Sequence, residues 1–302
     1  MASTTIKLRD QKTMLIMSDV SGAGATIDGR GYLTGYPLAD SGMYALARTW
    51  AATEMARPGC VWTHTLLIDF ADLATLPSMS FLEPSFLRPS SSFSIEDYSQ
   101  VITANTFDRG DRLQRVPEDS LERVLAALYG FPKEKVIFSL ASEDSAVLVY
   151  AIWAQQWPRL RRNFRFCTAS FADRSTEGAP FDLQFTSLLD RSYKSRFTEG
   201  IDANRTVFPR FAWLEEVVRD VVSGTGGELR AFLKNVGGDV AGGRQMFAPL
   251  CSLYMMIPNF GLDPQSIDQA TSLISSAFDS TSAGSLRTLL VSQIARHPER
   301  LT

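Results

Sequence analysis

The chain has 302 residues, close to two domains of ~150 residues, with 45% apolar and 21% charged positions; 30 Lys and Arg against 33 Asp and Glu leave a net charge of −3. Such a composition excludes a disordered polar chain, and the charge balance argues against a duplex nucleic-acid binder, which needs concentrated positive charge to replace phosphate counterions. Cys60, Cys167 and Cys251 are too far apart for a disulfide framework or a structural zinc cluster, and no apolar run reaches the ~20 residues of a membrane span. The expected setting is a reducing cytoplasm.

Residues 1–70 read mainly as strands and turns. Met14–Met17 is a short apolar run ending in a turn-rich stretch, Ser18–Gly24, and Gly29, Gly31, Gly35, Pro37 and Gly42 continue the punctuation. Alternation follows: Tyr44, Leu46, Arg48 and Trp50 share one parity against Ala45, Ala47 and Thr49, and later Cys60, Trp62, His64, Leu66 and Ile68 point one way while Val61, Thr63, Thr65 and Leu67 point the other. Two strands joined by a hairpin over 52–59, closed by Pro58-Gly59, account for this, although Ala, Leu and Arg in 45–52 also suit a helix. Residues 78–116 carry Ser, Phe and Pro without a period and read as loop. Pro117-Glu118-Asp119 opens a helix whose stripe is Leu121, Val124, Leu125 and Leu128, with Gly130 just beyond its end. A strand over Val136–Leu140, a helix over Ala146–Trp157 stopped by Pro158 and a strand over Phe164–Ala169 form a βαβ-like unit.

From Phe211 onward the pattern is helical: Phe211–Val222, Glu228–Asn235, Arg244–Ile257, Pro264–Phe278 and Ala283–Arg296, with Ser223–Gly227 as a helix stop. The expectation is an α+β protein. Residues 1–205 form a mixed, largely antiparallel sheet domain containing the βαβ-like unit, and residues 206–302 form a smaller all-helical domain.

Few residues carry a chemical signature. Gly24–Gly31 has the G-x-x-x-x-G spacing, but Arg30-Gly31 stands where a phosphate loop needs Lys and a hydroxyl, so turn glycines explain it better. His64 follows Cys60 by four residues on one strand face, which invites a Cys–His nucleophile. On a straight strand, however, their Cα atoms lie about 13 Å apart, and a core histidine bonded to a neighbour fits better. Carboxylate metal sites leave little trace and stay open; no cofactor is implied. The run Arg159-Leu160-Arg161-Arg162-Asn163-Phe164-Arg165-Phe166, with four arginines, either holds phosphate or an acidic partner, or neutralises the preceding helix C-terminus while facing solvent. Arg48, Glu54 and Arg57 beside the Trp-bearing strands either fix the hairpin or form a recognition edge. The candidate interaction residues are therefore Arg48, Glu54, Arg57, His64, Arg159, Arg161 and Arg162, with no residue assigned to catalysis, cofactor or metal.

Several segments together resemble a known family. Leu15-Ile16-Met17-Ser18-Asp19-Val20-Ser21-Gly22, Tyr32-Leu33-Thr34-Gly35-Tyr36-Pro37-Leu38, Tyr44-Ala45-Leu46-Ala47-Arg48-Thr49-Trp50 and Arg57-Pro58-Gly59-Cys60-Val61-Trp62-Thr63-His64 are similar to the N-terminal domain of the bacterial GTPase-associated protein family. Gln155–Leu160, Phe164–Cys167 and Phe171-Ala172-Asp173-Arg174 extend the likeness, and Leu229–Leu233 with Gly237-Gly238-Asp239 resembles its helical middle region. The resemblance implies a non-enzymatic adaptor, sensor or scaffold of a bacterial anti-phage conflict system. Its expected partner is a protein of the same operon, a GTPase, an AAA+ ATPase or an effector. The alternative is an enzyme or nucleotide-responsive effector with a site around Arg48, Glu54 and His64.

Overall fold

A computed structural model describes residues 4–20, 27–89, 94–103, 117–140, 142–176, 179–186 and 193–296. The chain opens on a helix, α1 (Leu8–Met17), where the sequence reads as strand and turn. The physical reason is that the buried face of α1 is not its apolar face. Asp10 and Met17 point inward, and Asp10 accepts the Ser41 amide at 2.7 Å, whereas Leu8, Leu15 and Ile16 stay exposed. An apolar stripe therefore gives no helical period against the core.

The hairpin follows as expected. β1 (Tyr32–Leu38) pairs antiparallel with β2 (Met43–Ala51), and β2 pairs antiparallel with β3 (Val61–Asp69) in a register that sets Arg48 opposite His64 and Trp50 opposite Trp62. The Ala-rich 45–52 stretch is strand because Ala45 and Ala47 pack under α1 while Tyr44 and Leu46 enter the opposite core. Next come α2 (Phe70–Thr75), short 3-10 turns at Met79–Ser85 and Ile95–Tyr98, and α3 (Glu118–Gly130). Much of 78–116 is thus irregular as expected, and 104–116 lies outside the described residues, as does Ser21–Thr26 of the glycine-rich segment.

The remaining elements are β4 (Lys135–Phe138), α4 (Ser142–Gln155), α5 (Pro158–Arg161), β5 (Phe166–Cys167), β6 (Leu183–Phe185), α6 (Tyr193–Arg196) and β7 (Gly200–Asp202). Among the described residues the sheet has seven strands, in the order β3-β2-β1-β5-β6-β4-β7. Its long strands, β1 to β3, are antiparallel, as is the β1–β5 pair; β5, β6, β4 and β7 run parallel in short pairings. The strand–helix–strand unit from β4 to β5 therefore exists, but β6, which the sequence did not mark, sits between its two strands.

Beyond β7 the described chain is helical: α7 (Leu214–Val222), α8 (Glu228–Val236), α9 (Phe247–Met256), α10 (Pro264–Ala277) and α11 (Gly284–Ile294). None of the helices is long and apolar enough to cross a membrane among the described residues. One face of the sheet carries α1; the other carries Leu33, Tyr44, Leu46 and Leu66 against Leu73, Leu82, Leu148 and Trp153. That second core continues past residue 205. Tyr129 of α3 stacks on Phe247 of α9 with ring centroids 3.5 Å apart, and Arg244 donates to the Leu128 and Glu134 carbonyls. At the crossing of β1, Gly35 leaves no room for a side chain: a Cβ there would lie 2.2 Å from the Phe166 ring and 2.5 Å from the Tyr44 hydroxyl.

Candidate functional site

The β2–β3 pairing projects Arg48 and His64 side by side from the helical face of the sheet. Both meet parts of the chain that lie on that face, residues 83–88 and Tyr98. Arg48 Nη2 donates to Glu83 Oε1 at 2.7 Å, and the Tyr150 hydroxyl donates to the same oxygen at 3.2 Å. The Arg48 guanidinium also lies 4.8 Å over the Phe86 ring, a cation–π contact that an enclosed site strengthens. His64 Nδ1 accepts the Leu87 amide at 3.0 Å, and its ring is edge-on to Phe86 at 5.9 Å and to Tyr98 at 4.9 Å. Burial lowers the His64 pKa, so the ring is neutral, and its Nδ1 bond assigns the proton to Nε2.

Glu54 sits in the hairpin loop, where its carboxylate accepts from Trp62 Nε1 at 2.7 Å and from Arg88 Nη2 at 2.8 Å. The Arg88 bonds, with a backbone bond and Trp62 adding to them, hold its carboxyl down to about 2. Arg88 Nη2 also reaches the Ala51 carbonyl at 2.9 Å. Consecutive residues Phe86, Leu87 and Arg88 thus engage Arg48, His64 and Glu54, and the outcome is a pinned segment. Arg57 stays exposed at the loop tip.

The arginine run does not form one patch. Arg161 is buried, donating Nη1 to the Leu76 carbonyl at 2.9 Å and Nη2 to the Ala154 carbonyl at 2.6 Å, with its guanidinium 4.4 Å from the Trp153 ring. Burial, with a smaller contribution from nearby Arg230, pushes its pKa down to about 10. It therefore neutralises the C-terminal end of α4 as expected, but from inside the protein rather than facing solvent. Arg162 rests 5.7 Å from the Phe70 ring, and Arg159 is half-exposed.

Glu83, Phe86, Leu87, Arg88, Tyr98 and Tyr150 complete the cluster and were not legible, because most of them lie in an irregular stretch with no period to mark them. Arg174, in the Phe171-Ala172-Asp173-Arg174 segment, closes the end of α1 by donating to the Met17 and Asp19 carbonyls at 3.1 and 3.3 Å and to the Tyr32 hydroxyl at 3.1 Å. Among the described residues no group of three or more His, Cys, Asp or Glu side chains is placed to hold a metal ion.

A family model described as GTPase-associated protein 1, N-terminal domain type 1, matches residues 1–86. The match runs from α1 through β3 to Phe86, so it includes Arg48, Glu54, Arg57, His64 and Glu83. No curated protein and no solved structure matches the chain.

Proposed function

We propose that the chain is a non-enzymatic adaptor of a bacterial anti-phage conflict system that works in the cytoplasm by docking a GTPase of its own operon. One observation carries this reading: Arg48, His64 and Glu54 are spent on fixing residues 86–88 against the hairpin, and the fixed surface displays apolar side chains. Met55 is 48% exposed and Leu87 47%; their sequence neighbours Glu54 and Arg88 are joined by an ion pair, and Arg57 is exposed in the same loop as Met55. Apolar side chains held rigid and rimmed by charge are the usual make-up of a protein recognition surface. The match of residues 1–86 to a GTPase-associated domain supports a GTPase as the partner over an AAA+ ATPase or an effector.

The enzyme or nucleotide-responsive alternative would need Arg48, Glu54 and His64 open to a substrate. Instead, Glu83 takes Arg48 Nη2, the Leu87 amide takes His64 Nδ1, and Arg88 and Trp62 hold the Glu54 carboxylate. Co-expression of the chain with the operon GTPase, followed by affinity purification and titration, tests the adaptor reading. A Met55→Asp/Leu87→Asp double variant is expected to weaken the complex by about tenfold or more while the melting temperature stays put, since such side chains sit at the centre of binding energy. A wild-type chain that never retains the GTPase, or a double variant that binds it equally well, overturns the reading.

A further inference from the structure

The free edge of the sheet has a definite hydrogen-bonding phase. Beyond the ends of the β2–β3 ladder, the Ala52 amide donates to the Cys60 carbonyl at 2.9 Å and the Phe70 amide to the Gly42 carbonyl at 3.3 Å. Antiparallel ladders alternate, so the even-numbered residues of β3 turn their backbone groups toward β2, and Val61, Thr63, Thr65 and Leu67 turn theirs outward. β3 ends the strand order, and among the described residues nothing bonds to those outward groups. The usual protections of such an edge are missing as well. β3 reads VWTHTLLID, with no Lys, no Pro and no break in its register with β2, and its one acid stands at the last position.

We propose that β3 pairs antiparallel with β3 of a second copy of this chain, about a twofold axis through Thr65, to make one continuous sheet across a homodimer. That register overlaps the whole strand. It sets Thr65 against Thr65, Thr63 against Leu67, Trp62 against Ile68 and His64 against Leu66. Asp69, the single acid, meets Val61, so no like charges face each other. Val61, Trp62, Leu67 and Ile68 are half-buried in the single chain; in the pair Trp62 and Ile68 become direct cross-strand neighbours, and Val61 and Leu67 meet on the diagonal. A nearly uncharged, alternating strand is the complement this edge calls for, and β3 itself supplies it. An isologous pairing of this kind closes on itself and leaves no β3 edge free for further growth. This proposal does not depend on the adaptor reading, because the GTPase surface was assigned to Met55 and Leu87.

Sedimentation velocity or light scattering on the purified full chain across a concentration series provides the test. The expected species is twice the 33.4 kDa chain mass. Thr65→Lys and Thr65→Asp each place like charges opposite one another on the axis and are expected to weaken dimerisation by about tenfold or more. Mixing the two variants is expected to restore it as a heterodimer. Thr65→Pro deletes an outward amide that β2 does not use and is expected to give a folded monomer. Should the proline variant fail to fold, the charge pair still decides the matter. A wild-type chain that stays at 33.4 kDa, with or without another protein bound along β3, overturns the proposal, as does a Thr65→Lys variant that dimerises like the parent.

Discussion

Replacing Arg244 by Met strips a buried guanidinium from three partners at once while keeping most of its apolar stem. Arg244 Nε faces Asp182 Oδ1 at 2.9 Å, Nη1 donates to the Leu128 carbonyl at 3.1 Å and Nη2 to the Glu134 carbonyl at 2.9 Å. Removing one member of a buried pair costs about 3–5 kcal/mol, because the survivor is left charged and uncompensated. Two features pull the figure to the low end. Asp182 keeps 19% of its side-chain exposure, and its other oxygen still accepts the Arg165 amide at 2.7 Å. The expected loss is therefore about 3 kcal/mol, read by urea unfolding with tryptophan fluorescence and circular dichroism. Adding Asp182→Asn removes the stranded charge and is expected to return at least about 1 kcal/mol of it. The pH dependence has a fixed sign. Burial already raises the Asp182 pKa against the opposing pull of Arg244, and losing Arg244 raises it further. An acid with a raised folded pKa loses stability as pH climbs above its unfolded value, so the deficit of Arg244→Met shrinks toward acid pH. A loss under about 1 kcal/mol at neutral pH, or a deficit that widens in acid, would refute the account.

The second prediction concerns Gly35→Ala, which drives a methyl group into the Phe166 ring and the Tyr44 hydroxyl and is expected to destabilise by about 1–3 kcal/mol in thermal melting. Arg161→Met is expected to cost about 2 kcal/mol through its lost carbonyl bonds and ring contact, whereas Arg159→Ala stays within about 0.5 kcal/mol; equal effects would restore the picture of a solvent-facing patch. Protonating His64 abolishes the acceptor of the Leu87 amide. Because burial depresses the folded pKa, this bond stays intact through the ordinary histidine range and is lost only as pH falls below that range, through the lowered folded value. Deuterium exchange at Leu87, corrected for its intrinsic pH dependence, is expected to quicken on acidification, and His64→Phe is expected to erase that response.

Elements whose buried face coincides with their apolar face were legible. The alternation of Tyr44–Trp50 and Trp62–Ile68 gave β2 and β3, Leu121, Val124, Leu125 and Leu128 gave α3, and the tail gave its helices close to their ends. α1 was missed because a carboxylate, Asp10, faces inward while Leu8, Leu15 and Ile16 face water. β6 was missed because its whole length is three residues, too short to show a period. At the candidate site, the sequence picked out Arg48, Glu54 and His64 by residue type and their place near the Trp-bearing strands. Their partners Glu83, Leu87 and Arg88 are fixed by tertiary contacts across an irregular segment, which leaves no local pattern. The arginine run misled for a related reason: a guanidinium can be buried when backbone carbonyls surround it, and composition does not reveal which one is.

The Tyr129–Phe247 stack bears on how this chain is made. Tyr129 is synthesised well before its ring partner, and Trp157 also waits for Phe247, whose ring it approaches at 6.2 Å. While the ribosome is still working through the segment between β7 and α9, the apolar surface of α3 and the Trp157 ring have no cover from α9. The sheet half is therefore expected to stay open to chaperones, and to proteases, until translation has passed Met256.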